Sequence, residues 1–244
     1  MKVVATIEAR MTSSRLPGKV LLPAAGKPLL QHQIERLSQA RSIDEIVVAT
    51  TTNNSDDVIE DLALSSGVKC FRGSELDVMH RVASAGDFAG ADVIVETTGD
   101  CPLIDPSIVE QTIRMFMAHD VPYVSNNHIR SYPDGMDTQV FTLRCLKQSM
   151  SMTNDPLDHE HVTLHIRNHP ELFPRVNLVA PPELHFPELG LTLDEKDDFR
   201  LLKIIIETLL PEKKFFSCGD ILELLRKRPD LTQINAHVVR KGDT

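Results

Sequence analysis

Apolar positions in the first half of the chain fall in short unbroken runs, and these alternate with stretches of helical spacing. Residues 2–7 are apolar and β-branched, Glu45–Thr51 reads E-I-V-V-A-T-T, and 68–71 and 92–97 repeat the pattern. Runs of this length and composition predict strands buried on both faces. Between them, residues 28–39 place Leu29, Leu30, Ile34 and Leu37 on one helical face. Further helices are predicted at about 55–66, at 76–88 and at Pro106–Ala118, the first of them with acids in its opening turn. The alternation predicts an α/β fold: a mostly parallel sheet covered by helices on both sides.

The rhythm changes after Val121. Residues 122–190 hold eight of the fifteen prolines, four of them within 174–187, together with an isolated helical stretch at 157–168. Such a segment reads as an arm of about 122–190 inserted into a single domain spanning 1–244. Order returns at Leu191, with a short L-T-L strand at 191–193, a strongly apolar helix at 195–210 and a last helix at 221–228.

Composition narrows the picture. Lys and Arg number 26 against 35 Asp and Glu, a formal net charge of −9, so nucleic acid is an unexpected partner. The longest apolar stretch, 201–210, is interrupted by Lys203, Glu207 and Thr208 and falls short of the roughly 18 residues a membrane helix needs. The N-terminal apolar run reaches Glu8 too soon for a signal peptide, and the four cysteines form no CxxC pair. A cytoplasmic location with no membrane association is expected.

Three places carry chemistry. The loop after the first strand, R-M-T-S-S-R-L-P-G-K, concentrates Arg10, Arg15 and Lys19 with three hydroxyls, and in an open α/β sheet ligands bind beyond the carboxyl ends of strands. Such a loop complements a polyphosphate, although it matches neither GxxxxGK[ST] nor GxGxxG, and by spacing alone it could be a solvated basic loop. T-T-G-D-C-P follows the fourth strand and would aim Asp100 into the same crevice, unless Asp100 only shapes a turn. Basic loop and carboxylate together suggest a nucleoside triphosphate with Mg²⁺. Asp194, ahead of the late apolar helix, reads either as that helix's N-cap or as a second acid facing the metal.

The string I-E-A-R-M-T-S-S-R-L-P-G-K-V-L resembles the signature of the cytidylyltransferases that activate acidic sugars. It looks closest to the branch named for spore-coat polysaccharide biosynthesis and is similar to CMP-Kdo and CMP-sialate synthetases. The resemblance extends through R-G-S-E-L-D-V-M-H-R, T-G-D-C-P, P-D-G-M-D-T-Q-V-F, E-H-V-T and L-T-L-D-E-K-D-D-F, in consistent order from Ile7 to Phe199. It implies a Rossmann-like, three-layer nucleotidyltransferase fold (the nucleotide-diphospho-sugar transferase fold) whose arm pairs two subunits into a homodimer. By the same resemblance Arg10, Ser13, Ser14, Arg15 and Lys19 would hold the triphosphate of CTP, with Arg15 and Lys19 beside the α-phosphate and the leaving pyrophosphate. Arg72, Gly73 and the helix starting near Asp77 would lie beside base and ribose, with Arg81 a weaker candidate. Asp100, after Gly99, and Asp194 would bind Mg²⁺, while Asp137, Glu160 and His161 would face the acceptor. Where the sugar-acid synthetases open with P-A-R, this chain has Glu8-Ala9-Arg10.

The implied reaction is attack of an acceptor oxygen on the α-phosphorus of CTP, served by cations held in place beforehand rather than by covalent catalysis. The acceptor is left open between a nonulosonate, an octulosonate and a phosphorylated small molecule. A glycosyltransferase of the same general fold would instead carry a D-x-D motif where T-G-D-C-P stands, and a non-catalytic nucleotide-binding protein would not need Lys19, Asp100 and Asp194 together. His161, His165 and His169, four apart on the helix predicted at 157–168, would share one face as metal ligands do. Zinc sites usually recruit a ligand from elsewhere, so that face is not counted as a metal site.

Overall fold

The computed structural model describes residues 1–240. Strands β1 (Val3–Glu8), β2 (Pro23–Ala24), β3 (Lys27–Pro28), β4 (Glu45–Thr51), β5 (Lys69–Gly73), β6 (Val93–Thr98), β7 (Tyr123–Ser125), β8 (Gln139–Thr142) and β9 (Arg175–Asn177) alternate with helices for most of the chain. The helices are α1 (Leu29–Leu37), α2 (Asp57–Ser65), α3 (Val78–Ala89), α4 (Pro106–Ala118), α5 (Leu143–Met152), α6 (Pro156–Glu160), α7 (Leu164–Asn168), α8 (Lys196–Leu209) and α9 (Cys218–Lys227). Seven strands form one sheet in the order β5-β4-β1-β6-β8-β7-β9, while β2 and β3 make a separate two-stranded ribbon. Within the seven-stranded sheet pairing is parallel except where β8 runs against β6 and β7, and β2 and β3 pair antiparallel.

The strands read as near-continuous apolar runs because both faces are covered. Val3, Ala5 and Ile7 of β1 pack with Leu30, Ile34 and Leu37 of α1 and with Val109 and Ile113 of α4. On the opposite face Val4 joins Val47, Ala49 and Ile94 under Met79 and Val82 of α3 and Leu146 of α5. A further cluster ties α8 and α9 to Leu103, Leu191 and Leu193. Each buried aliphatic side chain contributes on the order of 1.5–3 kcal/mol. One cation is buried at a junction of these layers: Arg36 donates from Nε to the Ile104 carbonyl (2.7 Å) and from Nη2 to the Phe216 carbonyl (2.8 Å). Burial pushes its pKa down to about 10, although Asp105 raises it.

Three expectations need correction. The stretch 122–190 does not stand apart from the sheet: β7, β8 and β9 are three of its seven strands. No strand forms at 191–193; Leu191 N–H donates to the Asp134 carbonyl (2.7 Å) and Leu193 N–H to the Asp100 carbonyl (2.8 Å), so this extended segment is stitched to two loops. The helix expected at 157–168 is broken into α6 and α7 at Val162, a β-branched residue held at φ +37. Among the described residues no helix is long and apolar enough to cross a membrane.

Candidate active site

The order in which strands are added reverses between the parallel neighbours β1 and β6, since β4 and β5 extend one side of β1 and β6 begins the other. That switch point opens a crevice at the carboxyl ends of the two strands. Gly99, just past β6, closes its floor. Its N–H donates to the Glu8 carbonyl at 2.8 Å, and a Cβ there would lie 2.8 Å from that same oxygen, so no larger residue allows this approach.

The basic loop is shaped from its two ends. Met11 N–H donates to the buried Asp56 carboxylate (2.8 Å), and Gly18, at φ +69, donates to the Met11 carbonyl (2.9 Å). The left-handed glycine turns the chain into a single 3₁₀ turn beginning at Lys19. Lys19 Nζ then reaches Asp100 Oδ2 at 2.9 Å and Asp194 Oδ1 at 3.2 Å, with only 13 % of the Lys19 side chain exposed. Arg15 Nη2 meets the same Asp194 oxygen at 2.7 Å. Burial lowers the Lys19 pKa, yet Asp100 and then Asp194 outweigh it, and the ammonium is held above its ordinary range. For Asp100 burial raises and Lys19 lowers, with the Thr98 hydroxyl (2.6 Å) assisting, and the carboxyl ends below its usual range.

Asp194 reaches this position because it is not the helix cap. Glu195 caps α8, with Asp198 reciprocating three residues on, and the buried Asp198 carboxylate accepts from Asp194 N–H (3.1 Å) and Glu195 N–H (2.8 Å). The capping alternative for Asp194 is therefore corrected, and its side chain points toward Lys19. The Asp100 and Asp194 carboxylates converge on Lys19, with the Ser13 and Ser14 hydroxyls in the same wall, and these oxygen donors fit a hard divalent cation together with phosphate oxygens and water. Such a cation would be held by Asp100 and Asp194.

A cavity of about 400 Å³ opens here, and of the residues singled out in the sequence Arg10, Ser13, Ser14, Arg15, Lys19, Gly99, Asp100, Asp137, Glu160, His161 and Asp194 line it. Arg72, Gly73 and Asp77 do not. The Arg72 guanidinium is saturated by Asp57 (2.6 Å), Glu60 (3.0 Å) and the carbonyls of Thr51 and Asn53. Asp77 caps α3 through His80 N–H (2.8 Å) and takes His159 at 2.9 Å. Gly73 leaves room for the Arg81 side chain, which is 2 % exposed and does line the cavity, with its Nε unpartnered. The three-histidine face does not form: His161 ends α6, whereas His165 is buried on the Ser149 hydroxyl (3.1 Å) and stacks on His169.

Sequence reasoning missed Glu96, Asp134, Arg130, Arg167 and Arg240 in the lining. A signal existed for Glu96, a charge inside the apolar run D-V-I-V-E-T; Arg240 lies far along the chain and gave none. Glu96 sits beside Glu8 on the cavity floor and accepts from the Gln139 amide. Burial, then the charge of Glu96 and a hydrogen bond to it, pushes the Glu8 carboxyl well above the usual range. A carboxyl raised in this way stabilises the fold below its ordinary pKa of 4.5 and loses that contribution as pH rises through the elevated value. Glu8→Gln keeps the shape without the charge. Its melting temperature at pH 8 is expected to exceed the parent's by at least about 2–4 °C, the response of a chain this size to about 1 kcal/mol, and the two should converge near pH 4. A parent protein more stable than the variant at pH 8 would refute the raised Glu8 carboxyl.

A family model described as cytidylyltransferase matches residues 4–216. The chain is 35% identical to an uncharacterised protein of Methanocaldococcus jannaschii over 99% of this chain and 98% of that one. It is 33% identical to the spore coat polysaccharide biosynthesis protein SpsF of Bacillus subtilis, over 92% of this chain and 94% of the relative. Among solved structures, a cytidylyltransferase from Leptospira borgpetersenii superposes with a TM-score of 0.90 at 35% identity, covering 96% of this chain and 97% of the other.

Proposed function

The chain belongs to the cytidylyltransferase family, and from that premise we propose that it transfers CMP from CTP to an acidic sugar, with Mg²⁺, and releases pyrophosphate for the building of a surface polysaccharide. The observation that carries this reading is the convergence of Lys19, Asp100 and Asp194 in one crevice at the ends of β1 and β6. The relatives' names agree with it. One is a spore coat polysaccharide biosynthesis protein, and an 8-amino-3,8-dideoxy-manno-octulosonate cytidylyltransferase of Shewanella frigidimarina is 40% identical across about half of each chain.

Two negative centres and a triphosphate meet here, so the task of the protein is placement and charge balance. Arg10, Ser13, Ser14 and Arg15 line the side of the cavity where the β- and γ-phosphates would rest, and Lys19 would face the bridging oxygen that leaves with pyrophosphate. The acceptor hydroxyl oxygen forms its bond to the α-phosphorus as the bond to that bridging oxygen breaks; the hydroxyl proton passes to a neighbouring base or water. When bound, Mg²⁺ supplies Lewis-acid polarisation of the α-phosphate. Arg130 and Arg167 line the cavity with Asp137, Glu160 and His161, and a carboxylated acceptor suits those guanidinium groups.

The experiment is a panel of CTP, UTP, ATP and GTP, each with Mg²⁺ and a set of sugar acids, scored by pyrophosphate release. CTP is expected to give the fastest release with at least one acidic sugar. Faster release from another triphosphate with every acceptor would overturn the base assignment. In a parallel incubation with nucleotide sugars, their consumption without pyrophosphate release would favour a glycosyltransferase instead.

A further inference from the structure

The segment 235–240 is stitched into the wall of the crevice by contacts that the transfer chemistry described above does not use. Arg240 Nη2 donates to Asp198 Oδ1 (2.9 Å), its Nη1 donates to the Thr192 hydroxyl, and its Nε lies 3.5 Å from Asp134 Oδ2. Asn235 Nδ2 donates to the same Asp198 oxygen (2.8 Å) and to the Gly190 carbonyl (2.9 Å), and Arg15 Nη1 donates to the Val239 carbonyl (3.2 Å). Gly190 is built around this. A Cβ at that position would fall inside the Arg240 guanidinium, although the backbone there needs no glycine.

Asp198 connects these contacts to the crevice. It has no exposed surface, and its two oxygens divide the work: Oδ1 takes Arg240 and Asn235, while Oδ2 takes the N–H groups of Asp194 and Glu195. A carboxylate buried this deeply keeps its charge and orientation only if its lone pairs are filled. The rotation of Asp198 in turn fixes the backbone of Asp194, whose side chain meets Lys19 opposite Asp100.

We propose that Arg240 is a positioning residue for the site. It holds Asp198, and Asp198 holds Asp194 at the angle from which its carboxylate and that of Asp100 can take one divalent cation. The proposal rests on the reading of Asp100 and Asp194 as metal ligands. Arg240 Nη1 also lies 3.9 Å from Asp194 Oδ2, at the outer limit of an ion pair. Removing that contact would favour a cation slightly, but partners that orient a ligand typically govern about 10–100-fold in metal affinity, so misorientation dominates.

The test uses Mn²⁺ as a paramagnetic probe, with binding to the intact protein and CTP read by electron paramagnetic resonance and no turnover required. Arg240→Ala is expected to weaken Mn²⁺ binding about 10–100-fold while the Kd for CTP at saturating metal stays within about threefold of the parent's. Gly190→Ala should reproduce the loss by evicting the guanidinium, and combining it with Arg240→Ala should add little, since both remove one contact. Arg240→Lys keeps the charge without the planar fork and should recover only part of the affinity; added guanidinium should restore part of the Arg240→Ala loss. If Arg240→Ala binds Mn²⁺ as tightly as the parent or more tightly, the positioning role fails. If the parent binds no Mn²⁺, the metal reading itself fails.

Discussion

Replacing Lys19 by alanine is expected to lower turnover by at least ~100-fold, on the scale of removing one preorganised partner of transition-state charge. The amine is held by two carboxylates, and its side chain is 13 % exposed, so little reorganisation is needed when charge builds on the α-phosphate and the departing pyrophosphate. Single-turnover kinetics at saturating CTP and metal isolate this step from binding. The variant also strips Asp100 of the cation that holds its carboxyl below the ordinary range, so that acid should titrate at a higher pH than in the parent. Turnover within threefold of the parent in a folded Lys19→Ala protein would return the loop to a solvated basic surface.

Asp100→Asn and Asp194→Asn should each reduce metal-dependent turnover by on the order of 10³-fold, because each removes an anionic oxygen from a cation that needs only one or two. Their effect on stability differs from what an unshielded acid pair would give. Two bare carboxylates would repel, and neutralising one would raise the melting temperature; here Lys19 lies between them and Arg15 adds a second cation at Asp194. Asp100 has a depressed pKa in the fold, so its pairing stabilises the protein at neutral pH and is lost on acidification through that depressed value. Asp100→Asn should therefore melt slightly below the parent at pH 7, with the gap closing as the pH falls below the ordinary value of 3.8. Calorimetry across that range, paired with pyrophosphate release, checks both halves. An Asp194→Asn protein that unfolds yet retains catalysis when refolded with osmolyte would contradict the assignment.

Elements were legible where local signals and tertiary packing agreed. Pro106 after Asp105 marks the start of α4, and both ends of that helix lie where the pattern predicts. Glu45–Thr51 likewise forms β4 over its whole predicted span. The stretch 122–190 was opaque for two reasons: its strands are only three or four residues long, and its prolines argue locally against a sheet. The break at Val162 could not be read at all, since valine is among the residues least suited to a positive φ. In the site, the glycines and the charges of the first loop and of T-G-D-C-P were readable because they sit at strand ends. Arg72 and Asp77 misled because cationic and acidic residues near a crevice serve local structure equally well, one stitching β5 to α2 and the other capping α3. Arg240 and Asp198 became visible only through contacts that no local pattern encodes.

The sheet order has a kinetic side. β1 pairs early in the chain with β4, and Glu8, Asp100, Gln139, Asp194 and Arg240 then reach the crevice from successively later segments, with one hydrogen bond joining Arg15 to Val239 across 224 positions. Closing loops of that span is entropically slow, whereas the βαβ units around β1, β4 and β5 need only short-range closure. During refolding, ellipticity can thus recover while the crevice still lacks a wall. Regained secondary structure and regained turnover are therefore expected to follow different time courses in stopped-flow refolding, the second marking the arrival of the native state.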